Sequence, residues 1–194
     1  RRGIDIAPLK WYTDFTIKHA QNQQFKFTKT KQEQLGMTKI LFICHGNICR
    51  SPMAEFMLKD MINKRGIADN FFIESAATSS EEIWNGMGNP VYPPAKEELA
   101  KHGISCEGKR ARQLTKADYD KYDHLIVMDD MNLRDTERIT CHKGGKISML
   151  LSYTDHPRAI SDPWYSGNFT ATYNDIKEGL EAFLDYIKDS YQTL

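Results

Sequence analysis

From Lys39 onward, continuous apolar runs of strand length alternate with stretches whose apolar residues recur at three- and four-residue steps. The first run, KILFIC (Lys39–Cys44), has no polar alternation, as expected of a strand buried on both faces. Met53, Phe56, Met57 and Met61 then share one face of a helix, with Ser51 expected as its N-cap, Pro52 as its first residue and Gly66 as its stop. FFIES (Phe71–Ser75) reads as a second strand, and PPAKEELAKHG (Pro93–Gly103) as a helix opened by proline and closed by glycine. Thr115 is expected to cap a short helix before the third strand, HLIVM (His124–Met128). A helix after Asn132 leads to the fourth strand, KISMLL (Lys146–Leu151), and a long loop, Ser152–Phe169, follows. The last element predicted is an amphipathic helix from Thr170 to Tyr191, its apolar face built from Tyr173, Ile176, Leu180, Phe183, Leu184 and Ile187.

This alternation predicts the α/β class: a single-domain three-layer sandwich, with a four-stranded parallel sheet covered by helices on both faces. In such folds ligands bind beyond the carboxyl ends of the strands. The first 36 residues stand apart. They hold seven Lys/Arg against three Asp/Glu, and the stretch Gln21–Gln34 has no core-forming period. They are expected to be an N-terminal extension outside the fold, with 37–194 as the domain and Met37 as its natural start.

With 194 residues, 40% of them hydrophobic, the chain suits one globular core. Its formal net charge of zero gives no overall attraction to nucleic acid or to an anionic membrane. The four cysteines, Cys44, Cys49, Cys106 and Cys141, form no spaced disulfide framework, and no apolar run reaches membrane-spanning length. A cytoplasmic location follows as the expectation. Cys106, Cys141, His102 and His142 lack metal-ligand spacing, so neither metal nor cofactor is called for. Lys109, Arg110 and Arg112 read as a solvated turn.

The chemistry concentrates where the first strand meets the first helix. Cys44-His45-Gly46-Asn47-Ile48-Cys49-Arg50-Ser51 is a Cys-x5-Arg-Ser loop. Five intervening residues can wrap a tetrahedral oxyanion with inward-pointing backbone N–H groups, and the following helix adds the positive end of its dipole. Arg50 offers a planar fork to two phosphoryl oxygens, and Gly46 is expected to take the backbone angles of the tight wrap. The field that holds a phosphate dianion also stabilises a thiolate, which makes Cys44 a nucleophile. Ser51 beside it can donate to the sulfur as it leaves.

FICHGNICRSPMAE resembles the signature of the low-molecular-weight protein tyrosine phosphatases, and further landmarks of that family recur in order. SAAT (Ser75–Thr78) is similar to the segment whose serine, here Ser75, supports the phosphate loop through its asparagine, here Asn47. Trp84–Ile104 resembles the segment with an aromatic pocket wall and a helix ending in His-Gly-Ile, and His102 is expected to bond near the loop support. VMDDMN (Val127–Asn132) matches the end of the third strand. DPWYSG (Asp162–Gly167) resembles the loop carrying the general acid. The resemblance implies hydrolysis of phosphotyrosine and small aryl phosphates through a cysteinyl-phosphate, with Cys44, Arg50 and Asp162 as catalytic residues. His45, Gly46, Asn47, Ile48, Cys49, Ser51 and Ser75 would bind phosphate or support its loop. Ile48, Trp84, Trp164 and Tyr165 would line the substrate pocket. The implied partners are phosphotyrosine-containing proteins, with phosphate-like oxyanions as inhibitors. Two departures stand out: Trp164-Tyr165 replaces the family's usual Tyr-Tyr, and His45 stands where leucine is common.

Three other readings compete. A thioredoxin-coupled arsenate reductase needs two further cysteines close together, whereas Cys106 and Cys141 are 35 residues apart. A protein-arginine phosphatase of the family carries threonine at the position of Ile48. A phosphate-binding module without turnover would need neither the Cys44 nucleophile nor the Asp162 acid. Cys49, in the same curl as Cys44, is either a packing residue or a thiol that condenses with an oxidised Cys44 in a reversible redox switch.

Overall fold

The computed structural model describes residues 36–192, so the expected extension lies outside the described residues apart from Gly36. Four strands, β1 (Thr38–Cys44), β2 (Phe71–Ala77), β5 (His124–Val127) and β6 (Ile147–Met149), form one parallel sheet in the order β2-β1-β5-β6. A two-stranded hairpin, β3 (Ile83–Trp84) and β4 (Met87–Gly88), projects after β2.

The two-sided burial of β1 explains the layers. Ile40, Phe42 and Cys44 point to one face, where they pack with Met53, Met57, Leu99, Ile176, Leu180 and Phe183. Those residues come from α1 (Arg50–Lys64), α2 (Pro93–Lys101) and α6 (Phe169–Gln192). Leu41 and Ile43 point to the other face, against Tyr122, Leu125 and Val127, with Leu133 and Ile139 of α4 (Asp130–Thr140) covering them. Each fully buried aliphatic side chain of β1 contributes about 1.5–3 kcal/mol, which fixes the strand in the middle of both cores. The chain leaves β1 towards β2 on one side and returns through β5 on the other. The carboxyl ends of β1 and β5 therefore flank the switch point at which such sheets bind ligands.

Several boundaries differ from the expectation. α1 begins at Arg50 with Cys49 as N-cap, so Ser51 is already helical and does not cap. Pro52 falls in the first turn, where its missing N–H costs no intrahelical bond. Ser51 is withdrawn from capping because its hydroxyl is shared between Cys44 and Asn47. Thr115 precedes α3 (Asp118–Lys121) by three residues and does not cap it; its N–H and hydroxyl both donate to Asp118. α4 starts at Asp130, capped by Asp129, whose carboxylate accepts from Asn132 N at 2.7 Å. The fourth strand ends at Met149 because Leu150 and Leu151 enter a 3-10 turn, Leu150–Tyr153, against α6. The loop after it contains a further short helix, α5 (Pro163–Ser166).

Candidate active site

At the carboxyl end of β1 the chain curls through residues 45–49 and enters α1 directly. The carbonyl oxygens of Cys44, His45, Ile48 and Cys49 all accept bonds from outside the curl, from the N–H groups of Thr78, Ser79, Tyr92 and Met53. Peptide planarity then turns the N–H groups of His45, Gly46, Cys49 and Arg50 the opposite way. The left-handed position in this curl is Asn47, at φ 57°, while Gly46 is not left-handed. Gly46 matters for space instead: a Cβ there would lie 3.0 Å from Cγ of Glu82. Asparagine tolerates the left-handed region, and here its side chain is fully used. Asn47 Nδ2 donates to Ser51 Oγ and Ser75 Oγ, both at 2.8 Å, and its Oδ1 accepts from Arg112 N at 3.1 Å.

A buried polar chain continues from there. Ser51 Oγ is 3.0 Å from Cys44 Sγ. On the far side, Ser75 Oγ donates to Glu55 Oε2 at 2.5 Å, and Glu55 is paired with Lys109 at 2.8 Å and Lys59 at 2.5 Å. Neither Glu55 nor Lys109 was expected here. Lys109, Arg110 and Arg112 are not a solvated turn. Lys109 also donates to Ser75 O, Arg110 to Gly88 O, and Arg112 grips Asp118 with both guanidinium arms and reaches Tyr122. The short Tyr122–Glu74 contact extends the same network over the opposite face of the sheet. A buried carboxylate needs cations, and these basic residues supply them.

Arg50, only 3% exposed, is held at every arm. Nη1 donates to Asp129 Oδ2 at 2.5 Å and to Ile160 O at 3.1 Å, and Nη2 donates to Asp162 Oδ2 at 2.6 Å. Burial opposes its charge, but the neighbouring Cys44 sulfur and the Asp162 and Asp129 carboxylates more than offset this and hold its pKa above the ordinary arginine value. Burial, reinforced by Cys44 and Asp162, pushes the Cys49 thiol well up, so Cys49 stays protonated beside Cys44. Asp162 also N-caps α5, its Oδ1 accepting from Trp164 N at 3.0 Å with Pro163 at the first helical position.

These groups surround a cavity of about 180 Å³. Cys44, Ile48, Cys49 and Arg50 are buried at its base, and Trp164 and Tyr165 (88% exposed) stand at its mouth beside Asp162. His45 and Gly46 line it as well, together with two carboxylates unforeseen from the sequence, Glu81 and Glu82. Trp84 is not among the lining residues. The β3–β4 hairpin carries it out to solvent at 70% exposure, while its neighbour Ile83 packs on Ile48 and Cys49. The aromatic behind the wall is Tyr92, whose ring lies 5.1 Å from that of Trp164 and whose N–H bonds Ile48 O. His102 also departs from expectation. It stacks on Tyr173 with centroids 3.8 Å apart and approaches Glu98 at 3.7 Å, while the loop support is made by Ser75 and Glu55. Among the described residues no group of three or more His, Cys, Asp or Glu could hold a metal ion, and no helix is long and apolar enough to cross a membrane.

Of the missed residues, Asp129 had a signal, since an aspartate between a strand and a helical pattern is a cap candidate. Glu55 lies one helical turn after Ser51, but a glutamate on a helix normally reads as surface.

A strand-to-helix curl carrying cysteine and arginine stands at the switch point of a parallel-sheet α/β protein, faced by an aspartate. Residues 39–193 match the model of the family described as low molecular weight phosphotyrosine protein phosphatase, and the chain belongs to that family. It is 36% identical over 159 residues to the low molecular weight protein-tyrosine-phosphatase YfkJ of Bacillus subtilis, covering 80% of this chain and 99% of that one. The crystal structure of YfkJ superposes with a TM-score of 0.75, covering 80% of this chain and 97% of that one. The mouse low molecular weight phosphotyrosine protein phosphatase is 36% identical over 158 residues, 78% of this chain and 97% of the relative. A Drosophila arginine phosphatase is similar in structure, with a TM-score of 0.69 at 31% identity, covering 78% of this chain and 98% of that one.

Proposed function

We propose that this protein is a protein tyrosine phosphatase that hydrolyses phosphotyrosine and small aryl phosphate monoesters through a cysteinyl-phosphate on Cys44. The observation that carries the reading is the convergence of Cys44, Arg50 and Asp162 on one cavity. A phosphate entering it meets the inward N–H groups of the curl and takes the place of Asp162 on Nη2 of Arg50, while Nη1 stays anchored by Asp129. Cys44 sulfur attacks phosphorus, the bond from phosphorus to the tyrosine oxygen breaks, and protonated Asp162 gives its proton to the departing oxygen. Asp162, now a carboxylate, takes a proton from the water that attacks the cysteinyl-phosphate. Inorganic phosphate forms and Cys44 leaves as a thiolate, facing the Ser51 hydroxyl at 3.0 Å.

Phosphate-like oxyanions are competitive inhibitors on this reading. All four cysteines are free thiols, which suits a reducing cytoplasm. Cys49 lines the same cavity as Cys44, and on this reading its sulfur joins a sulfenic acid formed on Cys44 by peroxide, the sulfenic oxygen leaving as water; burial, which keeps Cys49 a thiol, slows that step. Residues 37–194 form the catalytic domain, and a chain lacking 1–36 retains turnover.

The test of function is side-by-side hydrolysis of phosphotyrosine, phosphoserine and phosphoarginine peptides, with arsenate reduction as a control. Phosphotyrosine turnover at least about tenfold above the others, the effect of one missing ring contact or more, supports the reading. Preferred turnover of phosphoarginine would transfer the chain to the activity named for its Drosophila relative, and arsenate reduction would replace hydrolysis altogether.

A further inference from the structure

The cavity proposed to receive a phosphate dianion has two carboxylates at its mouth, Glu81 and Glu82. Against a small aryl phosphate both are liabilities, because like charges repel. The placement of Glu82 is nonetheless fixed by the fold. Glu82 accepts from Asn89 Nδ2 at 2.7 Å, and its Cγ occupies the space above Gly46. The hairpin base behind them is closed by Asn89 N donating to Glu82 O at 2.8 Å and Ala111 N donating to Asn89 O at 2.9 Å. The backbones of Gly88 and Ala111 approach so closely there that a side chain at Gly88 would collide with the Ala111 carbonyl. Glu81 is the exposed member. Its side chain is 72% exposed, and its Oε2 reaches His45 Nε2 at 2.9 Å, on the residue that follows the nucleophile.

We infer that Glu81, backed by Glu82, sets substrate specificity: the mouth selects phosphotyrosine segments with a lysine or arginine beside the phosphorylated residue and disfavours acidic ones. This rests on the tyrosine phosphatase reading. With the phosphotyrosine ring in the cavity, the flanking residues of the substrate cross its mouth, where Glu81 and Glu82 lie. A substrate cation there turns the carboxylate repulsion into attraction, whereas an acidic neighbour adds to it. Glu81 does not touch the reacting atoms, so the effect belongs to binding and appears in KM with kcat little changed. Exposed charge pairs are weak, so each contact is worth about two- to fivefold, and the preference fades as salt shortens the Debye length.

The experiment measures kcat/KM for three phosphotyrosine peptides of equal length, flanked by lysine, serine or glutamate, with p-nitrophenyl phosphate alongside. Wild type, Glu81→Gln and Glu81→Lys are compared at low and high salt. The expected order for wild type is lysine over serine over glutamate, carried by KM and compressed by salt. Glu81→Gln narrows the spread and raises kcat/KM for p-nitrophenyl phosphate, and Glu81→Lys reverses the order. Equal kcat/KM for the three peptides in wild type, or a preference that Glu81→Lys leaves unchanged, overturns the inference while the phosphatase reading stands. If no phosphotyrosine peptide is hydrolysed, the phosphatase reading itself falls.

Discussion

The two sides of the cavity are built differently. The curl from Cys44 to Ser51 is buried and braced by β2, α1 and the segment around Arg112, and Asn47 alone ties all three together. The facing segment, Asp162–Ser166, is one short helical turn at the surface. It is held by the Asp162–Arg50 pair and by Trp164 resting on Tyr92. A nucleophile must be positioned before the substrate arrives, and electrostatic preorganisation rewards rigidity on that side. An acid that serves the leaving group first and water afterwards needs its partner exchanged, and a surface turn released from Arg50 can supply that.

The contrast can be broken from either side. Replacing the nucleophile has the largest effect: Cys44→Ser should reduce aryl phosphate hydrolysis by about four orders of magnitude or more, the scale on which a lost covalent nucleophile acts. Vanadate or phosphate binding should persist, because the N–H groups and Arg50 remain. Calorimetry beside steady-state kinetics reads both, and substantial residual turnover would mean that Cys44 is not the attacking group.

Arg50→Lys comes next, because an ammonium cannot hold Asp129 with one arm and phosphate with the other as the planar guanidinium does. A loss of about 10²–10³ in kcat is expected, with a smaller change in KM. A near wild-type kcat would reduce Arg50 to a structural brace between Asp129 and the curl.

On the exposed side, Asp162→Asn should slow poor leaving groups by about 10²–10⁴ and p-nitrophenyl phosphate much less. A leaving-group series exposes the difference. Equal slowing across the series would assign the acid elsewhere. The smallest effect on turnover is that of Cys49→Ser, which should keep most activity yet recover poorly with dithiothreitol after peroxide. Full recovery would leave Cys49 as a packing residue only.

The curl was the more legible side in the sequence, including the Asn47–Ser75 support that the family resemblance implied, though not the charged residues behind it. A continuous apolar run of strand length ending at Cys44, followed by glycine and a proline-started helix, reads as a buried strand, so the position of the curl followed from local signals. Ser51-Pro52 looked like a helix start because capping and first-turn signals are local. The bonds of Ser51 to Asn47 and Cys44, which withdraw its hydroxyl from capping, depend on how the curl folds back on itself and leave no local trace. Glu55 and Lys109 were hidden because charged residues read as surface until their partners are known, and so was the pairing of Asp129 with Arg50, although its capping position carried a signal. On the exposed side, Asp162 was found through the family's Asp-Pro-aromatic pattern. Tyr92 was missed because its wall contact with Trp164 is made 72 residues away in the chain.

The central claim is that Cys44 carries the phosphoryl group during turnover. Rapid acid quench of Asp162→Asn with a phosphotyrosine peptide, followed by mass spectrometry of the loop peptide, tests it directly, because removing the group that activates water lets the intermediate accumulate. The account predicts phosphate on Cys44, appearing in step with free tyrosine peptide. A burst of product with no phosphorylated Cys44, or with phosphate on Ser51 or another side chain, would contradict it.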